Sequence, residues 1–202
     1  DLLLQIPKLN YYKEANIEAN LDFFIISSKQ IYNIDKLVYS SRKSKIELDK
    51  VKINKKLEIE DIGNIKVKTL SNDIKNNDFY IEKSDTKKNN IFIKGKLFDV
   101  EPLLKSLYKT GEKKMLSRNF NNEIKANFEK TITGTGDDVS NFGMIASIKK
   151  GSYNKLSLKG NFSEKEIIEI SIYQIDNNKK TLQVISDRAR PFIKNFNFIK
   201  GF

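Results

Sequence analysis

The sequence predicts a mainly β protein, built as one long, twisted antiparallel sheet with two short α-helices. Apolar and polar residues alternate with a period of two in many short stretches, and turn-forming residues separate these stretches. Such alternation places one apolar row on one face of a sheet and one charged row on the other. Short connections favour antiparallel neighbours over parallel crossovers.

The alternating stretches predict strands along most of the chain. They are residues 45–48, 51–53, 57–60, 65–68, 79–82, 91–94, 124–128, 156–159, 168–172 and 182–184. The compact apolar run 21–26 predicts a further strand, and residues 2–6 can form another that ends at Pro7. Turn residues predict reversals at 62–64, 71–73, 76–78, 88–90, 150–152 and 176–178.

Two segments change to a helical period. In residues 99–108, Asp99 can cap the helix. Pro102 stands in the first turn, where a backbone N–H would have no partner within the helix, so its absence in Pro costs nothing. In the second segment, 187–196, Asp187 or Ser186 can cap the helix. Its apolar residues recur at the spacing of one helix face. The polar stretch 112–122 is the best candidate for a weak subdivision of an otherwise single β-rich segment, residues 1–202.

The composition narrows the function classes. The 202 residues contain no His and no Cys, which removes the commonest general base, cysteine nucleophiles and thiolate metal sites. We therefore expect no cofactor and no enzymatic activity. The chain does not begin with Met, and we expect it to be a segment of a longer protein.

The net charge of +11 raises the possibility of a polyanionic partner. Only four of the 37 basic residues are Arg, whereas base and phosphate recognition relies on the bidentate fork of Arg. Lys alternates with apolar residues in the strands, as in residues 65–68, which favours solvated sheet faces. No nucleic-acid partner is expected, although a basic nucleic-acid-binding module remains a second alternative.

Other features have ordinary structural explanations. The pair Asp137 and Asp138 could bind a hard cation, but its setting among Gly134 and Gly136 favours a turn. An apolar stripe on residues 103–108 favours packing on the sheet. Several aromatic residues could form a stacking platform, although aromatics populate strand faces anyway. They are Tyr11, Tyr12, Tyr32, Tyr39, Phe79 and Phe92.

The number of strands exceeds what two short helices can cover. The sheet must therefore fold over into a sandwich or leave an open apolar trough. A trough lined by aliphatic side chains would shield acyl chains from water. The pattern of alternation is compatible with the sandwich and with the trough.

Two regions resemble a known family. Residues 91–104 resemble the element of AsmA-like envelope proteins in which a strand, a Gly, an Asp and a helix with paired Leu follow one another. Residues 184–194 and 198–202 resemble the C-terminal element of the YhdP-type, TamB-related branch, and 156–162 resemble the strand before it. Where the family often has Asp-Ala-Gly, this chain has Asp187-Arg188-Ala189-Arg190, which contains no Gly.

The resemblance implies a β-groove (taco-like) protein that is anchored in the inner membrane and extends through the periplasm. It also implies passive transport of phospholipid between the inner and outer membranes, with acyl chains as the partner and no catalytic residue. The alternative from another class is a structural or adhesin-like β segment with a sealed core. The lining expected for a groove comprises Ile46, Leu48, Ile59, Val67, Phe79, Ile81, Ile93, Phe128, Leu158, Ile170 and Val184.

Overall fold

The computed structural model describes residues 4–28, 30–71, 74–84, 89–102, 116–175 and 179–193. It confirms the mainly β class: 69% of the chain is strand, in one long mixed sheet of twelve strands that does not close into a barrel. Within the described ranges, no helix is long and apolar enough to cross a membrane.

The strands follow one another along the whole chain. They are β1 (Gln5–Ile6), β2 (Tyr11–Tyr12), β3 (Ala19–Ser27), β4 (Ile31–Ser41), β5 (Ser44–Asn54), β6 (Ile59–Asp61), β7 (Asn64–Ser71), β8 (Ile74–Lys83), β9 (Asn90–Asp99), β10 (Asn122–Ile132), β11 (Val139–Lys149), β12 (Ser152–Asn161), β13 (Ile167–Gln174) and β14 (Lys180–Ser186). A 3₁₀ turn (Pro7–Leu9) separates β1 from β2, and the helix α1 (Arg190–Ile193) follows β14.

The large sheet consists of two antiparallel meanders joined by one parallel pair. Its order is β14-β13-β12-β11-β10-β9-β8-β7-β5-β4-β3, with β6 paired to β5, and β1 and β2 form a separate small sheet. The expectation of an antiparallel sheet is therefore wrong at one place, because β9 and β10 run parallel. A parallel neighbour needs a crossover connection, and residues 100–121 provide it.

One apolar residue from each strand of the β3-to-β14 order forms a continuous line across the sheet, which we call the apolar row. Each member is the register partner of the next, so all of them lie on one face. The row runs Phe23, Leu37, Leu48, Ile65, Ile81, Ile93, Ala126, Met144, Leu158, Ile170 and Val184. At a strand spacing of about 4.8 Å, it extends for about 48 Å along the sheet.

A second line lies two residues further along the strands, on the same face, and we call it the buried row. It consists of Tyr39, Ile46, Val67, Phe79, Gly95, Phe128 and Phe142, again in register. Its six residues other than Gly95 are all buried. They form one cluster with Tyr11, which belongs to the N-terminal segment, residues 4–13. The N-terminal segment therefore packs along this side of the apolar face.

A smaller cluster lies on the other side of the apolar row. It consists of Ile62, Ile91, Phe120 and Ile148, and Phe120 comes from the end of the crossover between β9 and β10. Side chains of the apolar row, such as Ile81 and Ile93, contact both clusters. The middle of the apolar row is thus flanked by buried residues on both sides.

Several local expectations need correction. The pair Asn76 and Asn77 does not form a turn but lies inside β8, where both side chains are buried and hydrogen-bonded. The strands β4 and β11 were not expected as strands. Of the first predicted helix, 99–108, residues 99–102 are described: Asp99 ends β9, and Glu101 and Pro102 are helical. Residues 103–108 lie outside the described residues. The second predicted helix is described as α1, over Arg190–Ile193.

We expect Gly95→Ala to destabilise the fold by about 1–3 kcal/mol, the usual cost of overpacking. A Cβ atom at Gly95 would lie 2.4 Å from the Cβ of Phe79 and 2.6 Å from the carbonyl oxygen of Asp78. Gly143→Ala is a matched control, because its Cβ would meet only the side chain of Asn127, at 3.7 Å. Urea unfolding measures both, and equal midpoints for the two variants would contradict this account of the buried row.

Candidate apolar groove

The apolar row is neither sealed nor fully exposed over most of its length. From Leu37 to Ile170 its side chains are half-buried, except Ala126, which is buried. The two end members, Phe23 and Val184, are 58% and 40% exposed. The row is therefore an apolar strip with accessible atoms that reaches both edges of the sheet.

The predicted lining residues fall into three groups. Six of them lie on the apolar row: Leu48, Ile81, Ile93, Leu158, Ile170 and Val184. Four lie on the buried row: Ile46, Val67, Phe79 and Phe128. Ile59 lies on β6 and packs against the smaller cluster. The structure thus brings most of the set onto one face but gives only the first group accessible surface on a shared line.

Five members of the apolar row were missing from the predicted lining: Phe23, Leu37, Ile65, Ala126 and Met144. Ile65 stands in a recognised alternating stretch, so the pattern alone could have identified it. Met144 lies in β11, whose small residues and Gly143 weaken the alternation. Ala126 is the small member that keeps the row continuous across the parallel pair.

A buried hydrogen-bond cluster fastens the N-terminal segment to β7, β8 and β9. The amide of Asn77 donates to the carbonyl oxygen of Leu9 at 2.7 Å and to the hydroxyl of Thr69 at 3.0 Å. Asn10 donates to the carboxylate of Asp99 at 2.8 Å, and burial raises the pKa of Asp99. These bonds hold the segment against β7 to β9.

Tyr11 provides a second attachment of the same segment. Its hydroxyl lies 2.8 Å from the hydroxyl of Tyr39 and 2.9 Å from that of Ser41, and its ring meets the edge of Tyr39 with centroids 5.9 Å apart. Burial is the largest cause that raises the pKa of Tyr39, to about 12. The phenol is therefore neutral at physiological pH and acts as a hydrogen-bonding group.

Arg188 links three parts of the chain beyond the end of β14. Its guanidinium donates to Asp137 at 2.8 Å and to Glu166, and it lies 5.5 Å from the ring centroid of Phe162. Asp138 pairs with Lys130 at 2.8 Å. Each carboxylate of the Asp137–Asp138 pair thus has a cationic partner, and the pair belongs to a loop that contains two glycines at positive φ, as the turn interpretation expects.

The remaining sequence candidates do not come together at one site. Tyr11, Tyr39 and Phe79 are buried, whereas Tyr12 is exposed, so these aromatics form no common stacking platform. The predicted stripe on 103–108 and the first part of the stretch 112–122 lie outside the described residues. Residues 116–120 pack against the sheet through Phe120, and the proposed subdivision at 112–122 stays a prediction.

In the part of the chain that the structure describes, no group of three or more acidic side chains could hold a metal ion. Comparisons of the chain with protein-family models, with curated proteins and with solved structures find no match.

The ion pair at Arg188 makes a pH-dependent contribution to stability. The hydrogen bond from Arg188 is the largest cause that lowers the pKa of Glu166 from 4.5. A carboxyl group whose pKa falls on folding stabilises the fold above its unfolded pKa, and this contribution is lost as the pH falls through the folded pKa. We expect the melting temperature of the wild-type chain to exceed that of Glu166→Gln near pH 7, and we expect this difference to shrink as the pH falls below 4.5.

Thermal unfolding between pH 7 and pH 3 measures this difference. Glu164→Gln is the matched control, because Glu164 is exposed two residues away and lies outside the Arg188 contacts. A difference between wild type and Glu166→Gln that stays constant over the whole pH range would contradict the assignment.

Proposed function

We propose that the sheet carries phospholipid acyl chains along the apolar row, as a passive groove of a cell-envelope protein. The observation that carries the proposal is the unbroken register of apolar residues across the sheet, half-exposed over most of its length. Burial of each methylene of an acyl chain against such a strip contributes about 0.8 kcal/mol. Affinity therefore grows with the length of chain in contact.

The chemistry of the row suits movement of the ligand as well as binding. Each strand contributes one apolar side chain, and no charged residue interrupts the line from Phe23 to Val184. A lining without polar anchors offers nearly the same contact energy at each step, so an acyl chain can slide. The polar headgroup would stay in water beside the strip, since burial without partners is costly.

The cellular setting is part of the same proposal. The AsmA-like resemblance implies a periplasmic location, an anchor in the inner membrane and phospholipid transfer between the two membranes. An accessible apolar strip that runs across strands is compatible with that role. The alternative of a structural β segment takes its support from the buried row, whose side chains are sealed.

The direct test is mass spectrometry of lipid extracted from the chain after purification from a bacterial host without detergent. We expect near-stoichiometric phospholipid. Ile170→Asp should lower the occupancy at least tenfold, because it places a charge within the strip, on the strand next to its β14 end. Ser171→Asp is the control, since the next residue of a strand points to the opposite face. Folded wild-type protein without lipid would support the structural alternative.

A second test avoids any loss of folding. Val184 and Ile185 are neighbours on β14, and they are 40% and 49% exposed on opposite faces of the strand. A photoreactive amino acid at position 184 should crosslink to phospholipid in vesicles, and one at position 185 should do so several-fold less. Equal crosslinking at both positions would exclude the apolar row as the binding surface.

A further inference from the structure

A separate cavity of about 880 Å³ opens on the opposite, polar face of the sheet. Its lining contains Val67, Phe79 and Phe128 of the buried row together with the residues on either side of each of them. Since neighbours in a strand point to opposite faces, the backbone of the buried row forms the floor and polar side chains form the walls. The volume lies within the range of about 300–1,000 Å³ typical of ligand sites.

The walls of this cavity, which we call the lysine basin, have an excess of positive charge. They include five lysines, Lys45, Lys66, Lys68, Lys94 and Lys96, and three carboxylates, Glu47, Asp78 and Glu129.

Two of the three carboxylates are already occupied, Glu47 by Lys45 at 2.7 Å and Asp78 by Lys75. Within the described residues, Lys66, Lys68 and Lys96 form no ion pair. Lys94 pairs with Glu82 at 3.7 Å and Lys45 with Glu47, so three of the five ammonium groups in the basin are without an ion pair in the described part of the chain.

In the register, Lys68 on β7 lies between Lys45 on β5 and Asp78 on β8. Lys45 already pairs with Glu47 and Asp78 with Lys75, so Lys68 forms no ion pair of its own among the described residues. The five lysines exceed the three carboxylates, and this excess of positive charge favours an anionic ligand over a neutral one.

A line of mixed polar groups crosses the basin beside these lysines. Glu47, Lys66, Tyr80, Lys94 and Asn127 are register partners in turn, from β5 to β10. The line spans about 19 Å at the usual strand spacing, and Tyr80 at its centre is 38% exposed. An exposed phenol ring can stack on a flat ligand, and the carboxylate and amide groups can accept bonds from hydroxyls.

We propose that the lysine basin binds an anionic, hydroxyl-rich oligosaccharide, one with uronate or phosphate groups. Ammonium groups pair with its sparse negative charges, and Glu47 and Asn127 accept hydrogen bonds from its hydroxyls. A nucleic acid fits less well, because the carboxylates of the walls repel a dense row of phosphates. The basin also contains no Arg, which is the residue suited to bidentate phosphate and base recognition. The site is on the face opposite the apolar row and is independent of lipid binding.

Isothermal titration calorimetry with tetragalacturonic acid as the probe tests the proposal. We expect binding at low salt that weakens as salt rises, and no binding of neutral maltotetraose. Lys66→Gln/Lys94→Gln should weaken binding at least tenfold, and Tyr80→Ala should weaken it several-fold. Both lysines are exposed, so the double variant should keep the melting temperature of the wild type.

The matched control is Lys55→Gln/Lys56→Gln, which removes the same net charge from an exposed turn outside the basin. Its affinity should stay within twofold of the wild type. Equal losses in the two double variants would show diffuse attraction by net charge and would overturn the proposal. Absence of binding, or tighter binding of an oligothymidylate of equal charge, would overturn it as well.

Discussion

The parallel pairing of β9 with β10 is the contact on which the continuity of the apolar face depends. Two antiparallel meanders meet there, and their apolar residues line up only because Ile93 lies beside Ala126. A shift of one residue would turn the whole second meander over, so that its charged residues would join the apolar row. The crossover secures this register, because its last residues place Phe120 in the cluster beside β9.

On the apolar face, the buried row is covered and the apolar row is accessible. This difference comes from the N-terminal segment, which lies outside the large sheet. Tyr11 and Leu9 lie over the side that contains Phe79 and Phe128, and Asn76 and Asn77 bind the backbone of this segment. On the apolar face, Gly95 has no side chain between its register partners Phe79 and Phe128. The rings of Phe79, Phe98 and Phe128 pack together there, with centroids 5.0 to 5.9 Å apart. Leu4, Ile6 and Leu9 pack against the cluster of the buried row, whereas the apolar row beside it stays half-exposed although it is equally apolar.

The sequence predicts the faces of most strands, because a period of two needs no knowledge of tertiary contacts. Leu48, Ile81 and Leu158 were placed on the apolar face correctly for that reason. The pattern does not distinguish Ile46 from Leu48, since both are apolar members of one alternation. The difference is tertiary: Ile46 is buried in the cluster that contains Tyr11, whereas Leu48 packs against that cluster and stays half-exposed.

Two strands of the large sheet, β4 and β11, were not predicted, for identifiable reasons. In β4, the apolar residues Ile34 and Leu37 are three positions apart, so the period of two is interrupted, and the pairing of β4 with β3 has a register shift at the same place. In β11, the apolar face has the small residue Ala146, and the opposite face has Gly143 and Ile145 instead of polar residues, so the period of two is weak. The lysine basin could not be foreseen either, because its lysines come from three strands, β5, β7 and β9, whose order depends on the register.

A uniform lining has a consequence for any ligand on the apolar row. Apart from the buried Ala126, each side chain from Leu37 to Ile170 offers a similar apolar contact. Removal of one methyl group therefore changes the binding energy by only about 1 kcal/mol of a sum over many contacts. A truncation at one strand would barely reduce affinity, whereas a single carboxylate such as Ile170→Asp imposes a desolvation cost wherever the acyl chain passes it. The same uniformity that keeps any one position from dominating affinity lowers the barrier between neighbouring positions, and movement along the row follows from the lack of specific contacts.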